Sequence, residues 1–168
     1  ITMLLALVMV MGLLPTVAFG ASTPEEALGE IDIYNGGTKL SYLSVNGRVQ
    51  NLNYVYYNYV NAKGETKEIP AYCVNPTDPG VPQTVGIGES VAYTAEEAAS
   101  APKLMGIIAT GYPTRGLYQL GLENKEQAYY ATKIALWCYL LGSWDIGDAQ
   151  VNPALTGQEL ARAQKILV

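Results

Sequence analysis

The sequence predicts an α+β fold, an antiparallel β-strand subdomain followed by a helical subdomain. Three observations predict it. Residues 31–93 alternate apolar and polar positions and are punctuated by tight-turn residues. Beyond Thr94 the pattern changes to helical spacing with capping residues. The strands come first and the helices after them, without the strand–helix alternation of a wound parallel sheet.

The opening segment, ITMLLALVMVMGLLPTVAFG, carries no charge. Its length and Pro15 fit the apolar core of a secretion signal better than a membrane-spanning anchor, the alternative reading. Ala18-Phe19-Gly20 offers a small-x-small cleavage site. The expected division is therefore a signal fragment at 1–20 and one domain at 21–168, long enough for its own core and truncated at its C-terminus.

Within that domain, TKLSYLSV (38–45) and VQNLNYVYYNYV (49–60) flank Asn46-Gly47. Asn-Gly accepts the positive φ angles of a two-residue hairpin turn. Ala62 to Glu65 makes the next turn, and TKEIPAYCVN (66–75) reads as a strand ending near Cys73. The Pro-rich PTDPGVPQ (76–83) stops it. TVGIGESVAY (84–93) is one more short strand. Thr94 and Glu97 form a capping box ahead of a helix over 95–111, which Pro102 should kink or split. Residues 111–125 form a loop with one short turn. Asn124 and Gln127 cap a helix from Lys125 to Leu141, stopped by Gly142, and Thr156 and Glu159 cap a last helix.

Composition excludes several functions. The net charge of −5 argues against nucleic-acid binding, which needs clustered cations for the phosphates. The chain has no His, so Cys-His and Ser-His-Asp nucleophile pairs cannot be built. Two cysteines alone make no structural zinc site, and Asp145 and Asp148 are too few and wrongly spaced for a calcium loop. No cofactor, no metal and no membrane contact of the mature domain are expected. Cys73 and Cys138 form a disulfide in the ordinary expectation for an exported chain.

Lys133 is the anomaly. It lies in QAYYATKIALWCYL (127–140), apolar nearly all round and therefore expected to be buried between layers. Tyr129, Tyr130, Leu136 and Trp137 share its helical face, and Ala131, Ala135 and Cys138 lie on the other. A lysine there reaches water along its stem, pairs with an anion, or loses its proton. Cys138 lies roughly 140° round the helix from Lys133. If Cys73 meets Lys133, a Cys73–Cys138 bridge is disfavoured.

AYCVNP (71–76) and GYPTRGLYQLGLENKEQAYYATKIALW (111–137) together resemble the thioester domain of Gram-positive bacterial surface adhesins. In that family a Cys in a Tyr-Cys-apolar strand displaces ammonia from a Gln in a Thr-Gln-x-Ala-apolar-Trp motif. The resulting internal thioester acylates an amine on a host protein. The resemblance implies Cys73 and Lys133 as the thioester-equivalent pair, supported by Tyr72, Thr132, Ala135 and Trp137. It spans about residues 31 to 141. It also implies a cell-surface domain that is not an enzyme, a host surface or matrix protein as partner, and further adhesin domains and a cell-wall anchor C-terminal to the chain.

The sequence departs from the motif at its central residue. A thioester needs an acyl carbon, and lysine has none, so Cys73 and Lys133 cannot form one. Several readings stay open. The domain binds noncovalently on a retained scaffold; or Lys133 makes Cys73 more reactive or forms an isopeptide link; or the lysine is a one-base departure from a Gln codon. Gln127 is no substitute, since six residues back is about 240° round the helix. A structural cap or stalk without a ligand is the alternative function. An adhesin should instead show an aromatic rim near Cys73, with Tyr72, Tyr112 and Trp137 as candidates. Thr132 could simply back-bond within its helix, and Asp145 or Asp148 could pair with Lys133 if their loop folds back.

Overall fold

The computed structural model describes residues 3–5, 30–76, 80–95 and 102–168. Strands dominate the first part: β1 (Met3–Leu5), β2 (Glu30–Leu40), β3 (Leu43–Val45), β4 (Arg48–Val49), β5 (Leu52–Val60), β6 (Thr66–Pro70), β7 (Tyr72–Cys73) and β8 (Ser90–Ala95). Helices follow: α1 (Pro102–Thr110), α2 (Leu117–Leu120), α3 (Lys125–Leu141) and α4 (Gly157–Ile166), with a 3-10 turn at Ile146–Asp148 and strand β9 (Gln150–Val151) before α4. This is the α+β order that the sequence predicts. The main sheet runs β6-β5-β2-β8-β1-β7, and β4-β3-β9 form a second, small sheet. The pairings are antiparallel except β1 with β8. Met3–Leu5 belongs to the segment read as a secretion signal, the rest of which, with the proposed cleavage site, lies outside the described residues.

The Asn46-Gly47 turn forms as its residue types dictate, with φ of 51° and 71° and Val45 opposite Arg48. The hairpin around it is split, however. β2 and β5 pair in the main sheet, and at Ser41-Tyr42 the chain passes into the small one. Asn152, buried, holds this crossing: its backbone N–H donates to the Tyr42 carbonyl (2.9 Å) and its side chain to that of Ser41 (2.7 Å). A bulge interrupts β2 between Asn35 and Lys39. Gly36 sits there because the Tyr54 ring occupies the space of a Cβ.

One expectation fails at the strand-to-helix switch. Thr94 is not a helix cap; it extends β8 and pairs with Glu30. Pro102 begins α1, as proline can, because the first helical N–H has no partner to lose; residues 96–101, ahead of it in the segment read as helical, lie outside the described residues. Glu97 lies outside the described residues.

The longest helix, α3, has the predicted bounds. The Asn124 side chain accepts from the Gln127 N–H (2.8 Å), and Gly142 closes the helix with φ 61°. Its first two-thirds pack on the sheet through tyrosines. Tyr129 stacks on Tyr72 and meets Tyr54 edge-on, both at 5.1 Å between centroids. Tyr130, wholly buried, takes a hydrogen bond from the Leu43 N–H (3.0 Å) and gives one to the Gln50 carbonyl (2.9 Å). A tyrosine core suits a layer that must bury area and still satisfy strand-end backbone groups. The helix is not buried to its end. From Trp137 onward it is half-buried or exposed, so the all-round apolar pattern overstated its burial.

Candidate functional site

Cys73 ends β7 and Lys133 lies in the middle of α3; both are buried, at 6% and 7% exposure. They line the same cleft, of about 360 Å³, together with Tyr93, Trp137, the start of β5 at Asn51–Asn53 and the loop from Gly80 to Gln83. The structure thus brings together the two residues that the sequence pairs.

Backbone contacts made by the supporting residues fix this arrangement. The Trp137 indole N–H donates to the Cys73 carbonyl (3.3 Å), tying α3 to β7. The Tyr72 hydroxyl donates to the Tyr112 carbonyl (2.7 Å), and the Tyr112 N–H donates to the Thr132 hydroxyl (2.9 Å). Thr132 also back-bonds to the Ala128 carbonyl (2.9 Å). Tyr72 and Thr132 therefore join β7, the 111–113 turn and α3 in one chain of hydrogen bonds. The turn passes so close that a Cβ on Gly111 would lie 2.6 Å from the Thr132 methyl. Ala135 lies elsewhere. With Cys138, Tyr139 and Trp144 it lines a broader, more open hollow of about 440 Å³ on the other flank of α3. The disulfide expectation fails: Cys73 and Cys138 are not bridged, because Cys73 lies in the cleft with Lys133 whereas Cys138 lines the hollow on the other flank of α3.

The Lys133 ammonium is held by aromatics. Nζ donates to the Tyr129 hydroxyl at 3.0 Å and lies 5.3 Å and 5.1 Å from the ring centroids of Tyr129 and Trp137. Among the described residues no carboxylate forms an ion pair with it. Asp145 instead caps the 3-10 turn through the Gly147 N–H (2.8 Å). Burial lowers the pKa of Lys133 to about 8, and the charge interaction with Cys73 acts in the opposite sense. Burial also holds the Tyr129 hydroxyl well above its ordinary range, so it stays protonated. The Cys73 thiol lies 3.1 Å from the Asn75 carbonyl.

The expected aromatic rim is only partly present. Tyr72 is fully buried and Tyr112 is half-buried in the hydrogen-bond chain, so of the three candidates Trp137 alone lines the cleft. Tyr93 takes part instead. Burial, then the charge of Cys73, raise its pKa. Its only sequence signal was its place in the β8 alternation. Gln127 is wholly buried and committed elsewhere, accepting from the Glu123 N–H (2.8 Å) and donating to the Arg162 carbonyl (2.7 Å).

Among the described residues no group of side chains could hold a metal ion, and no helix is long and apolar enough to cross a membrane. No curated protein matches the chain. Among solved structures, the thioester domain of the Enterococcus faecium TIE86 protein matches with 22% identity and a TM-score of 0.48, over 83% of this chain and 47% of that one. A family model described as thioester domain matches residues 70–167, which include both Cys73 and the motif around Lys133. The chain belongs to the thioester domain family.

Proposed function

We propose that this chain is a surface-displayed adhesin domain that keeps a thioester scaffold without a Cys73–Lys133 thioester and holds a host surface or matrix protein noncovalently. Family membership supports a surface adhesin-like domain with an extracellular location. The observation that carries the finer reading is the Lys133 amine, which shares the cleft with Cys73 at the motif position of the acyl donor. An amine there offers no acyl carbon, so a partner amine has nothing to attack at that residue. The domain does not turn over a substrate, and a cell-wall anchor and further adhesin domains follow it in the complete protein.

The test is incubation of the purified chain with host matrix proteins, followed by a wash in denaturant. Complete release into the wash is expected, with prior methylamine making no difference. A complex that survives boiling in denaturant would refute the reading. The alternative is a structural cap or stalk domain, and the burial of Tyr72 away from the cleft mouth favours it. That alternative predicts no retention before the wash.

A further inference from the structure

Exchanging a carboxamide for an amine does more than remove the acyl carbon. A Cys–Gln pair makes an electrophile, whereas a thiol and an amine are both nucleophiles. We propose that the cleft between β7 and α3 is a binding site for small aldehydes, captured reversibly as an imine on Nζ of Lys133. The inference rests on the geometry of the cleft and does not require the adhesin reading.

Several features fit this chemistry. The cleft, of about 360 Å³, is within the size range of small-molecule sites. Its wall is apolar and aromatic at Trp137 and Tyr93, and polar at Asn51, Asn53 and Gln83. Nζ is held in position by the Tyr129 hydroxyl at 3.0 Å and by the Trp137 ring, whose centroid is 5.1 Å away. The groups facing it include Tyr129, Cys73 and Trp137, and among the described residues no carboxylate is ion-paired with it to hold its proton. Burial, with the amine's pKa near 8, leaves a sizeable neutral fraction at physiological pH, the form that attacks carbonyls.

The step balances without an oxidant. The nitrogen lone pair forms an N–C bond to the carbonyl carbon while the C=O π pair moves to oxygen, which takes a proton. The carbinolamine then loses water to give the C=N bond. Hydrolysis reverses both steps.

Two sources share this chemistry, the open-chain form of a reducing sugar and an alkyl aldehyde. The chain is incubated at pH 7.5 with glyceraldehyde or with hexanal, each with cyanoborohydride to trap the imine as a secondary amine. Intact mass and peptide mapping follow. Among the lysines the fast adduct is expected at Lys133, formed at least about tenfold faster than at exposed Lys63; peptide mapping separates it from the α-amino group, which has an ordinary pKa of about 8 and labels alongside. Lys133→Met removes the fast adduct and leaves the slow labelling of Lys63, and circular dichroism confirms that the variant folds. Preference for hexanal assigns an alkyl aldehyde; preference for glyceraldehyde assigns a sugar. Labelling of Lys133 no faster than Lys63 with both probes overturns the proposal. So does an intact mass already short by one ammonia or one water, with Lys133 mapped to a cross-link. Neither result bears on release from host proteins, so the two readings fail separately.

Discussion

Lys133 and Tyr129 lie one helical turn apart on α3, and the ammonium of the first donates to the hydroxyl of the second at 3.0 Å inside the protein. A phenol is a neutral partner. It orients the amine without supplying the negative charge that would offset burial. Trp137, at 5.1 Å, adds a ring face but again no net charge. The lysine is therefore held in place at a cost to stability.

That cost depends on pH. The folded-state value of about 8 lies below that of an unfolded lysine, so the unfolded chain binds this proton more tightly. The penalty is fully present below pH 8 and fades as pH rises toward 10.5. Lys133→Met should be more stable than the parent at pH 7, by up to about 3 kcal/mol if the whole shift is recovered. The margin should shrink steadily between pH 8 and 10. Urea unfolding of both chains across that range measures it. The difference between them cancels the buried tyrosines, whose raised values act on stability in the opposite sense near pH 10. A margin independent of pH would contradict the assignment.

Tyr129→Phe should cost about 1–2 kcal/mol in the parent, because it leaves a buried ammonium without its acceptor. In the Lys133→Met background the loss should be smaller, since the hydroxyl no longer serves the ammonium. A double-mutant cycle by denaturant unfolding reads the coupling. Equal losses in both backgrounds would show that the hydroxyl serves another group.

Thr132→Val keeps the shape of the side chain and removes the acceptor of the Tyr112 N–H. The expected loss is about 1–3 kcal/mol, the penalty of an unmet buried donor. Gly111→Ala should cost a similar amount, roughly 1–3 kcal/mol from overpacking against Thr132. Both changes should also speed alkylation of Cys73, because they loosen the hydrogen-bond chain that runs from the 111–113 turn to Tyr72 beside it. Thiol labelling rates give the second readout, and unchanged rates would separate this chain from the cleft.

Gln127→Leu removes both bonds of a wholly buried carboxamide, one to the α2–α3 loop and one to α4. It should destabilise the domain by about 2–3 kcal/mol. Hydrogen exchange should rise first in Gly157–Ile166, while Cys73 labelling stays as in the parent. Loss of Cys73 protection instead would tie Gln127 to the cleft.

The sequence was most legible where local chemistry decides the outcome. Asn46-Gly47, Asn124 and Gly142 each carry the φ preference or side-chain acceptor that their turn or cap requires, and each performs as read. The meeting of Cys73 and Lys133 was legible only through the resemblance, which rests on AYCVNP and on the spacing of Thr132, Ala135 and Trp137; helical spacing by itself gave Lys133 a face but not the partner on it. Thr94 was misread because its β8 pairing is a tertiary matter that a local capping pattern cannot reveal. The second sheet was missed because β9 is a two-residue strand with no period to read. Tyr72 was offered as a rim residue. Sequence gives its alternation but not that the inward side is closed by Tyr129 and Tyr112. Tyr93, Asn51, Asn53 and Gln83 come to the cleft from loop and strand positions that only the folded sheet brings near Cys73.

The most direct test of the central claim, that Lys133 disables a thioester scaffold, is the intact mass of the Lys133→Gln chain beside the parent, before and after methylamine and a thiol-alkylating reagent. The account predicts that the Gln form is lighter than its sequence by one ammonia, adds methylamine, and exposes Cys73 to alkylation only then. The parent should show its full sequence mass and no methylamine adduct. A Gln form that keeps its ammonia and alkylates at once would contradict the claim, and would leave the cleft a scaffold that no longer places Cys73 against position 133.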